Sequence, residues 1–463
     1  MLTYDLSNRG NKTMYEYLYE CIREDIMQGR IKENEKLPSK RMLAKQHHIS
    51  LKTVENAYEQ LLLEGYLYTK ERSGYYAGAV ETGYEVKESP AIYEPGQQQE
   101  EYQINLANNQ AALDKFPYSQ WAKVMREVLS IRERELLDTV PFQGIYELRK
   151  EIAEYLYEYR GMQVSPERII VGAGTEYLYG RLIHLLGRDC VYAVEDPGYQ
   201  KITKLYAAND VTWKYIGIDE YGISVEELAK SGADVVHVSP GHHFPTGTIM
   251  PVGRRQKLLE WAAEERDRYI IEDDYDSEFR FVKRPVPAVQ SMDMNHRVIY
   301  MNNFSKTLAP SIRISYMVLP QKLMDRYVST MNFYSCTVSA FEQYAMVEFM
   351  QKGYFERHIQ RMKNYYKSKR DSILKLLQES PLMTLLVIEE KDAGNHFLLK
   401  IDTQLSDVQI KWAMKDVGIK LDFLSEFCMQ NKEEHMHTMI INYSNLKEEE
   451  FQAALRRLEE ILL

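Results

Sequence analysis

The stretch Asn303-Phe304-Ser305-Lys306-Thr307-Leu308-Ala309-Pro310-Ser311-Ile312-Arg313 carries the strongest chemical signal in this chain. It follows an apolar run and places Lys306 directly after a serine and seven residues before Arg313. A lysine amine can condense with a cofactor aldehyde to a Schiff base, while a nearby hydroxyl and guanidinium hold a phosphate. The stretch therefore predicts a pyridoxal phosphate site, with Lys306 as the covalent attachment point and Ser305 and Arg313 as phosphate ligands.

A second segment upstream carries the acid that such a cofactor needs. The apolar run Tyr269-Ile270-Ile271 predicts a short buried strand, and Glu272-Asp273-Asp274-Tyr275 follows it. An acid at the end of such a strand can pair with the pyridinium nitrogen, which makes the ring an electron sink. We therefore predict that Asp273 pairs with the ring nitrogen. Tyr275 lies two residues on, which is the same side of an extended chain, and is expected to contact the ring hydroxyl.

Short apolar runs alternate with helical patterns after residue 104. The clearest runs are residues 169–172, 191–194, 235–238, 269–271 and 298–301. Such alternation predicts a mostly parallel sheet covered by helices, with ligands at the carboxyl ends of its strands. Gly174 and Thr175 follow the first run and offer backbone N–H groups to a phosphate at a helix N-terminus. A glycine turn is more often only a tight connection, so this signal is weak by itself.

Composition narrows the class of protein. A chain of 463 residues is too long for one core and suggests about three compact units. No apolar run reaches the roughly 18 residues that a membrane span needs, and the N-terminus has no leader pattern, so we expect a cytoplasmic protein without membrane contact. Four scattered cysteines indicate neither a zinc site nor disulfides, and no metal is expected. A net charge of −10 still leaves room for a local basic face.

The first eighty residues have the pattern of a DNA-binding module. Helical spacing of apolar residues predicts an amphipathic helix over residues 14–27. Ser39 and Ser50 are expected to cap two further helices. Two β-prone runs, at residues 66–69 and 75–77, then predict a two-stranded wing with a basic tip.

This module resembles the winged helix-turn-helix of the GntR superfamily in its order of Leu-Pro-Ser, Arg, Leu-Ala, Thr-Val, Ala-Tyr and Glu-Gly-Tyr. The resemblance implies a double-stranded DNA operator as partner. It implies contacts to phosphates or bases by Ser39, Arg41, Thr53 and Arg72. The family usually has Arg after the capping serine, whereas this chain has Leu51 and then Lys52, which is free to approach a groove. Taken singly, the basic residues are equally consistent with solvated helix faces.

A segment rich in Glu, Gln and Pro follows the module and has no apolar periodicity. Such a segment buries too little apolar surface to offset its ordering entropy, so we predict a tether. The predicted organisation is a DNA-binding domain at residues 1–78, a linker at 79–104 and a cofactor domain at 105–463.

The whole arrangement resembles the MocR/GabR-type transcriptional regulators, through the winged helix, the tether, the lysine segment, the acidic segment and Ala393-Gly394-Asn395-His396. The resemblance implies an α/β fold: a winged helix-turn-helix, then a fold-type I aminotransferase-like domain with a mostly parallel central sheet and a smaller C-terminal subdomain. It implies that Tyr199 stacks on the pyridine ring. It also implies a domain-swapped homodimer that reads two half-sites and senses a small-molecule effector through pyridoxal phosphate.

Three positions depart from the family pattern and bear on activity. Phe244 replaces the Asn that bonds the ring hydroxyl, Ile440 stands where transaminases place a carboxylate-binding arginine, and Lys201 replaces a second arginine. The incomplete clamp favours a regulator over an active aminotransferase that carries a DNA-binding domain. The third alternative is a plain GntR-type repressor whose large domain binds no cofactor and serves only for dimerisation. The intact lysine segment argues against it. The same departures favour pyridoxal phosphate itself as the effector. The alternatives are an amine or small peptide whose amino group displaces Lys306, or an amino acid held by Lys201.

Overall fold

The computed structural model describes residues 4, 6, 9–10, 12–70, 73–79, 102–281, 286–390 and 393–463. The chain divides into two compact units, residues 1–100 and 101–463. Residues 80–101, which make up most of the predicted tether, lie outside the described residues. The same is true of Arg72, a predicted DNA-contacting residue. The described residues contain no helix long and apolar enough to cross a membrane.

The N-terminal unit consists of three helices and a two-stranded wing. Its elements are α1 (Met14–Met27), α2 (Lys40–Gln46), α3 (Leu51–Leu63), β1 (Leu67–Lys70) and β2 (Gly74–Ala77). Both predicted caps are confirmed: the Ser39 hydroxyl accepts a hydrogen bond from the Met42 N–H (3.2 Å) and the Ser50 hydroxyl accepts one from the Thr53 N–H (3.0 Å). The caps satisfy N–H groups that the first turn of a helix leaves without partners.

One apolar core holds this unit together. Leu18 and Ile22 of α1 pack against Val54 and Leu61 of α3, and all four side chains are fully buried. Tyr58 joins the same core, and its hydroxyl donates to the Pro38 carbonyl (2.9 Å), which fixes the turn before α2. The buried faces of the helices thus leave their polar faces exposed, as a helix-turn-helix requires.

The second unit is an α/β structure. Its helices are α4 (Tyr118–Ile131), α5 (Tyr146–Arg160), α6 (Thr175–Leu186), α7 (Gln200–Ala208), α8 (Val225–Ser231), α9 (Val252–Glu264), α10 (Gln321–Met331), α11 (Ala340–Gln351), α12 (Tyr354–Glu379), α13 (Asp407–Asp416) and α14 (Glu448–Leu462). Its strands are β3 (Ile104–Asn105), β4 (Ile169–Ala173), β5 (Val191–Asp196), β6 (Thr212–Asp219), β7 (Gly222–Ile223), β8 (Val235–Val238), β9 (Tyr269–Asp273), β10 (Val298–Asn303), β11 (Ile314–Val318), β12 (Leu386–Glu389), β13 (His396–Ile401), β14 (Ile419–Lys420), β15 (Asp422–Phe423) and β16 (Thr438–Asn442).

The central sheet has the strand order β4-β11-β10-β9-β8-β5-β6-β7. Five adjacent strands, β10, β9, β8, β5 and β6, are parallel to one another. Strand β11 is antiparallel to both β10 and β4, and β7 is antiparallel to β6. The mostly parallel sheet is therefore confirmed, and all five apolar runs singled out in the sequence lie in it. Buried apolar side chains cover both of its faces, as expected for a sheet between two helical layers.

The strand register brings the predicted site residues to one edge. Strands β9 and β10 are parallel neighbours, and Met301 lies opposite Asp273, so both strands end at the same edge. Strand β11 is antiparallel to β4, with Ile314 opposite Ala173. That pairing places the residue after β4, Gly174, beside the residue before β11, Arg313.

A smaller C-terminal part is built on a second sheet of order β12-β13-β16-β15. Its strands are antiparallel, and helices α12, α13 and α14 pack on it around a separate apolar core. Strand β3 joins this part through a parallel pairing in which Ile104 lies opposite Ile419. Ile104, which the sequence places at the end of the tether, is thus part of a sheet.

Candidate functional site

A cavity of about 370 Å³ lies in the second unit, at the carboxyl edge of the central sheet. Its wall contains these predicted cofactor residues: Thr175, Tyr199, Asp273, Tyr275 and Lys306. Three others, Gly174, Ser305 and Arg313, lie beside the cavity rather than in its wall. The cavity is therefore the candidate cofactor site, and each of the five predicted residues in its wall lies at the end of a strand of the sheet or shortly after one.

Lys306 is held by an asparagine that the sequence did not reveal. Its amine donates hydrogen bonds to the side-chain Oδ1 of Asn109 (2.7 Å) and to the backbone carbonyl of the same residue. Burial lowers the pKa of Lys306 to about 8, although the charge of Asp276 opposes the shift. A lowered pKa provides more of the neutral amine that attacks an aldehyde. No spacing in the sequence indicates Asn109, which reaches the lysine only through the fold.

The two carboxylate oxygens of Asp273 have different surroundings. Oδ2 accepts a hydrogen bond from the Tyr179 hydroxyl (3.1 Å) and lies 3.5 Å from His237 Nε2. Oδ1 is buried and has no hydrogen-bond partner among the described residues. A buried carboxylate oxygen without a donor is costly, and it is a ready acceptor for a ligand N–H. The residues thus fit a cofactor whose ring nitrogen carries a proton.

Tyr275 is suited to donate a hydrogen bond into the cavity. Burial and the charges of Asp276 and Asp273 raise its pKa well above the usual range, so it remains a phenol. Its hydroxyl lies 3.4 Å from His242 Nδ1, which is itself 2.8 Å from an oxygen of Asp276. Phe244 provides no donor on its side of the cavity.

Tyr199 lies in the wall with about half of its surface exposed. Its ring contacts Phe244 edge-on, with the centroids 6.1 Å apart. One face can thus remain open to a planar ligand, as the predicted stacking requires.

Two buried polar residues in the wall are neutral. Burial raises the pKa of Glu195 to about 8 and lowers the pKa of His243 to about 3. The contact between Glu195 Oε2 and His243 Nε2 (3.4 Å) has the geometry of an ion pair. Burial disfavours both charged forms, so we regard it as a contact between neutral groups. His243 Nδ1 also lies 2.8 Å from Thr246 Oγ1.

The N-terminus of α6 forms a cradle beside the cavity. Gly174 caps this helix with a φ of 94°. A Cβ there would clash with the Arg313 guanidinium, so the arginine lies directly against the glycine backbone. The Ser305 hydroxyl donates to the Ile312 carbonyl (3.3 Å), which brings the serine next to Arg313. Gly174, Ser305 and Arg313 thus surround a helix N-terminus, a favourable seat for a phosphate.

The position of the expected carboxylate-binding arginine is apolar. Ile440 is buried with Leu398 and Leu424, and the cavity residues Phe244 and Phe427 pack on that cluster. Among the described residues that line the cavity, Lys306 is the one Lys or Arg side chain. Lys201 forms an ion pair with Glu176 instead.

The predicted DNA-contacting residues lie in the N-terminal unit. Arg41 and Lys52 are exposed. The hydroxyls of Ser39 and Thr53 take part in helix-capping hydrogen bonds, and that of Ser39 is exposed. Arg72 lies outside the described residues. In the wing, the ammonium of Lys70 lies 4.7 Å from the ring centroid of Tyr76.

Comparisons with protein-family models match both units. Residues 101–454 match the aminotransferase class I and II family, and residues 14–76 match the bacterial regulatory proteins of the gntR family. The chain is 31% identical to the probable rhizopine catabolism regulatory protein MocR of Rhizobium meliloti, over 91% of this chain and 88% of that protein. It is 29% identical to the pyridoxine biosynthesis transcriptional regulator PdxR of Corynebacterium glutamicum, over 83% of each chain.

Solved structures resemble the second unit. The kynurenine aminotransferase of Pyrococcus horikoshii, crystallised in complex with PMP, superposes with a TM-score of 0.67 and 25% sequence identity. The match covers 78% of this chain and 91% of the aminotransferase. The fold of the second unit is thus that of an aminotransferase.

Proposed function

The chain belongs to the MocR-type transcriptional regulators, and we propose that it binds pyridoxal phosphate at Lys306 and that the bound cofactor changes its affinity for DNA. These regulators join a GntR-type DNA-binding domain to an aminotransferase-like domain. The first part concerns the cavity of the second unit. The second part concerns the exposed helix faces of the first unit.

The cofactor proposal rests on two residues of one cavity: Lys306, whose pKa is lowered, and Asp273, which has one carboxylate oxygen without a donor. Lys306 and Asp273 line the same cavity, and the buried Oδ1 of Asp273 has no hydrogen-bond partner among the described residues. Buried carboxylate oxygens elsewhere in the unit, such as Oε2 of Glu278, also lack a partner in the described part of the chain, but Oδ1 of Asp273 belongs to a residue of the cavity wall. A ring N–H bound in the cavity would supply its donor.

Each residue then has a defined task. Lys306 supplies the amine, Asp273 accepts a hydrogen bond from the ring nitrogen and Tyr275 donates one to the ring hydroxyl. Tyr199 covers one face of the ring. The phosphate is held by Gly174, Thr175, Ser305 and Arg313. When bound, the cofactor supplies an electrophilic carbon and an electron-withdrawing ring.

On the DNA side, we propose that Ser39, Arg41, Lys52, Thr53 and Arg72 contact an operator. Arg41 and Lys52 are exposed near the start of α2 and in the first turn of α3, where a recognition helix meets a groove. A homodimer, with domains exchanged between subunits, would present two such units to two half-sites. Cytoplasmic location, dimerisation and half-site spacing remain predictions.

We further propose that pyridoxal phosphate is itself the effector. Among the described residues of the cavity wall, none carries the guanidinium that would hold an amino-acid carboxylate, and Ile440 fills the expected position with an apolar side chain. The PdxR relative is named for regulation of pyridoxine biosynthesis, which supports a vitamin-related signal. An amine effector is the second candidate, because it would need no carboxylate partner.

The cofactor proposal is tested by absorption spectroscopy of purified protein. Wild-type protein incubated with pyridoxal phosphate is expected to show the visible absorption of lysine-bound cofactor, and Lys306→Ala is expected to lose it. Lys322→Ala, which removes an exposed lysine elsewhere in the unit, is the matched control and should keep the band. Steady transamination of common amino acids would favour the enzyme alternative.

A further inference from the structure

A carboxylate already lies in the phosphate cradle. Glu176 belongs to the first turn of α6, and its side chain accepts hydrogen bonds from Arg313 (2.7 Å) and from Lys201. Its own backbone N–H also helps to lower the pKa of this carboxylate. Two cationic side chains and a backbone N–H at a helix N-terminus are the donors that bind phosphate in proteins.

The carboxylate also occupies the right place. A Cβ built on Gly174 would stand 2.7 Å from Glu176 Oε2 and would clash with the Arg313 guanidinium. Both groups therefore lie directly against the backbone of Gly174. A phosphate dianion that reached the same donors would stand within a few ångströms of the carboxylate, and like charges at such a distance repel.

The carboxylate is charged at neutral pH. Burial opposes its ionisation, but hydrogen bonds from Lys201, its own backbone N–H and Arg313 outweigh burial and lower the pKa of Glu176 to about 2. A phosphate therefore meets an ionised competitor across the physiological range.

We propose that Glu176 is a resident anion that competes with the cofactor phosphate for Arg313 and Lys201 and so weakens the binding of phosphorylated ligands. This inference rests on the proposed function. A sensor must fill and empty as its ligand concentration changes, so its dissociation constant has to lie near that concentration. Glu176 sets that constant by making the phosphate displace a bound carboxylate.

The test compares pyridoxal phosphate with pyridoxal, which lacks the phosphate. Glu176→Gln keeps the shape of the side chain and removes its charge. The dissociation constant for pyridoxal phosphate is expected to fall about tenfold, the ratio that ~1.4 kcal/mol gives. The constant for pyridoxal is expected to stay unchanged, because only the phosphate meets the carboxylate. Both constants come from titrations followed by absorbance.

Inorganic phosphate provides a readout without the cofactor ring. Its inhibition constant against pyridoxal phosphate, calculated with each variant's own dissociation constant for the cofactor, should be lower in Glu176→Gln than in the wild type. Glu176→Ala removes the carboxylate without an amide in its place. This variant should also bind both pyridoxal phosphate and inorganic phosphate more tightly than the wild type. The matched control is Glu226→Gln. Glu226 is an exposed acid that pairs with Lys257 of α9, and its substitution should change the affinity for neither pyridoxal phosphate nor inorganic phosphate.

Two results would overturn the inference. Weaker binding of pyridoxal phosphate in Glu176→Gln would mean that Glu176 holds the cations in place for the phosphate, and unchanged binding would mean that it plays no part. Failure of the proposed function looks different: the wild type itself would form no lysine-bound cofactor at any concentration of pyridoxal phosphate.

Discussion

At the scale of single residues, the candidate site is assembled from side chains that lie far apart in the chain. One cavity wall contains Lys306, Asp273, Tyr275 and Thr175, which were predicted from local patterns, and Tyr199, which the family resemblance implied. Asn109 and Glu176 were not predicted, because each meets its partner only through tertiary structure. The partner of Asn109 is 197 residues away in the chain, and that of Glu176 is 137 residues away.

The lowered pKa of Lys306 makes cofactor binding depend on pH. Burial holds the pKa at about 8, so the share of neutral amine rises as pH increases through that value. We expect the rate of association with pyridoxal phosphate to increase from pH 6.5 and to level off above about 8.5. Stopped-flow absorbance across this range measures it. A midpoint near 10, the value of an ordinary lysine, would show that burial does not act as described.

The acid that pairs with the ring nitrogen should be essential for affinity. Asp273→Asn replaces a charge-assisted hydrogen bond, worth about 1.5–3 kcal/mol, by a weaker neutral one. The dissociation constant for pyridoxal phosphate is expected to rise about tenfold or more. Asp267→Asn, an exposed acid paired with Lys322, serves as the control and should bind normally. Unaltered affinity in Asp273→Asn would remove this residue from the site.

At the scale of elements, periodicity predicted some strands and not others. The five apolar runs of the parallel sheet were found because each is buried on both faces. Strand β6 was not predicted, because exposed and buried side chains are mixed along it. Strand β11 was not predicted, because it follows the lysine segment without a break. Strand β3, of two residues, is too short to carry a pattern and exists only through its pairing with β14.

The cap of the recognition helix offers a test at this scale. Ser50→Ala leaves the Thr53 N–H without its acceptor, so the unfolding free energy of the N-terminal unit is expected to fall by about 1 kcal/mol. Urea unfolding followed by circular dichroism measures the loss. Ser224→Ala removes the corresponding cap of α8, where the serine accepts from the Glu227 N–H (3.3 Å). Only Ser50→Ala should also weaken DNA binding.

At the scale of the whole molecule, two units with different tasks share one chain. The whole chain has a net charge of −10, but its DNA-binding module is nearly neutral. The first eighty residues of the chain carry twelve basic and eleven acidic side chains. Binding to DNA must therefore rely on a local face rather than on overall charge. The sequence predicted both units and their order, since each has its own motifs.

Salt and substitution together probe that face. DNA affinity is expected to fall steeply with ionic strength, because phosphate contacts release counterions. Arg41→Ala should lower affinity for all sequences alike and reduce the slope of log affinity against log salt by about 1, as loss of one phosphate contact does. Fluorescence anisotropy with a selected and a scrambled duplex measures both. If Arg41→Ala weakened only the selected duplex, Arg41 would read bases.

The most direct test of a pyridoxal phosphate-dependent regulator is a titration of DNA affinity against the cofactor. Protein freed of cofactor is mixed with a duplex selected from a random pool, and its dissociation constant is followed as pyridoxal phosphate is added. We predict that the constant changes several-fold as Lys306 becomes occupied and that Lys306→Ala shows no change. A DNA affinity that stays constant while the lysine-bound absorption saturates would contradict the account.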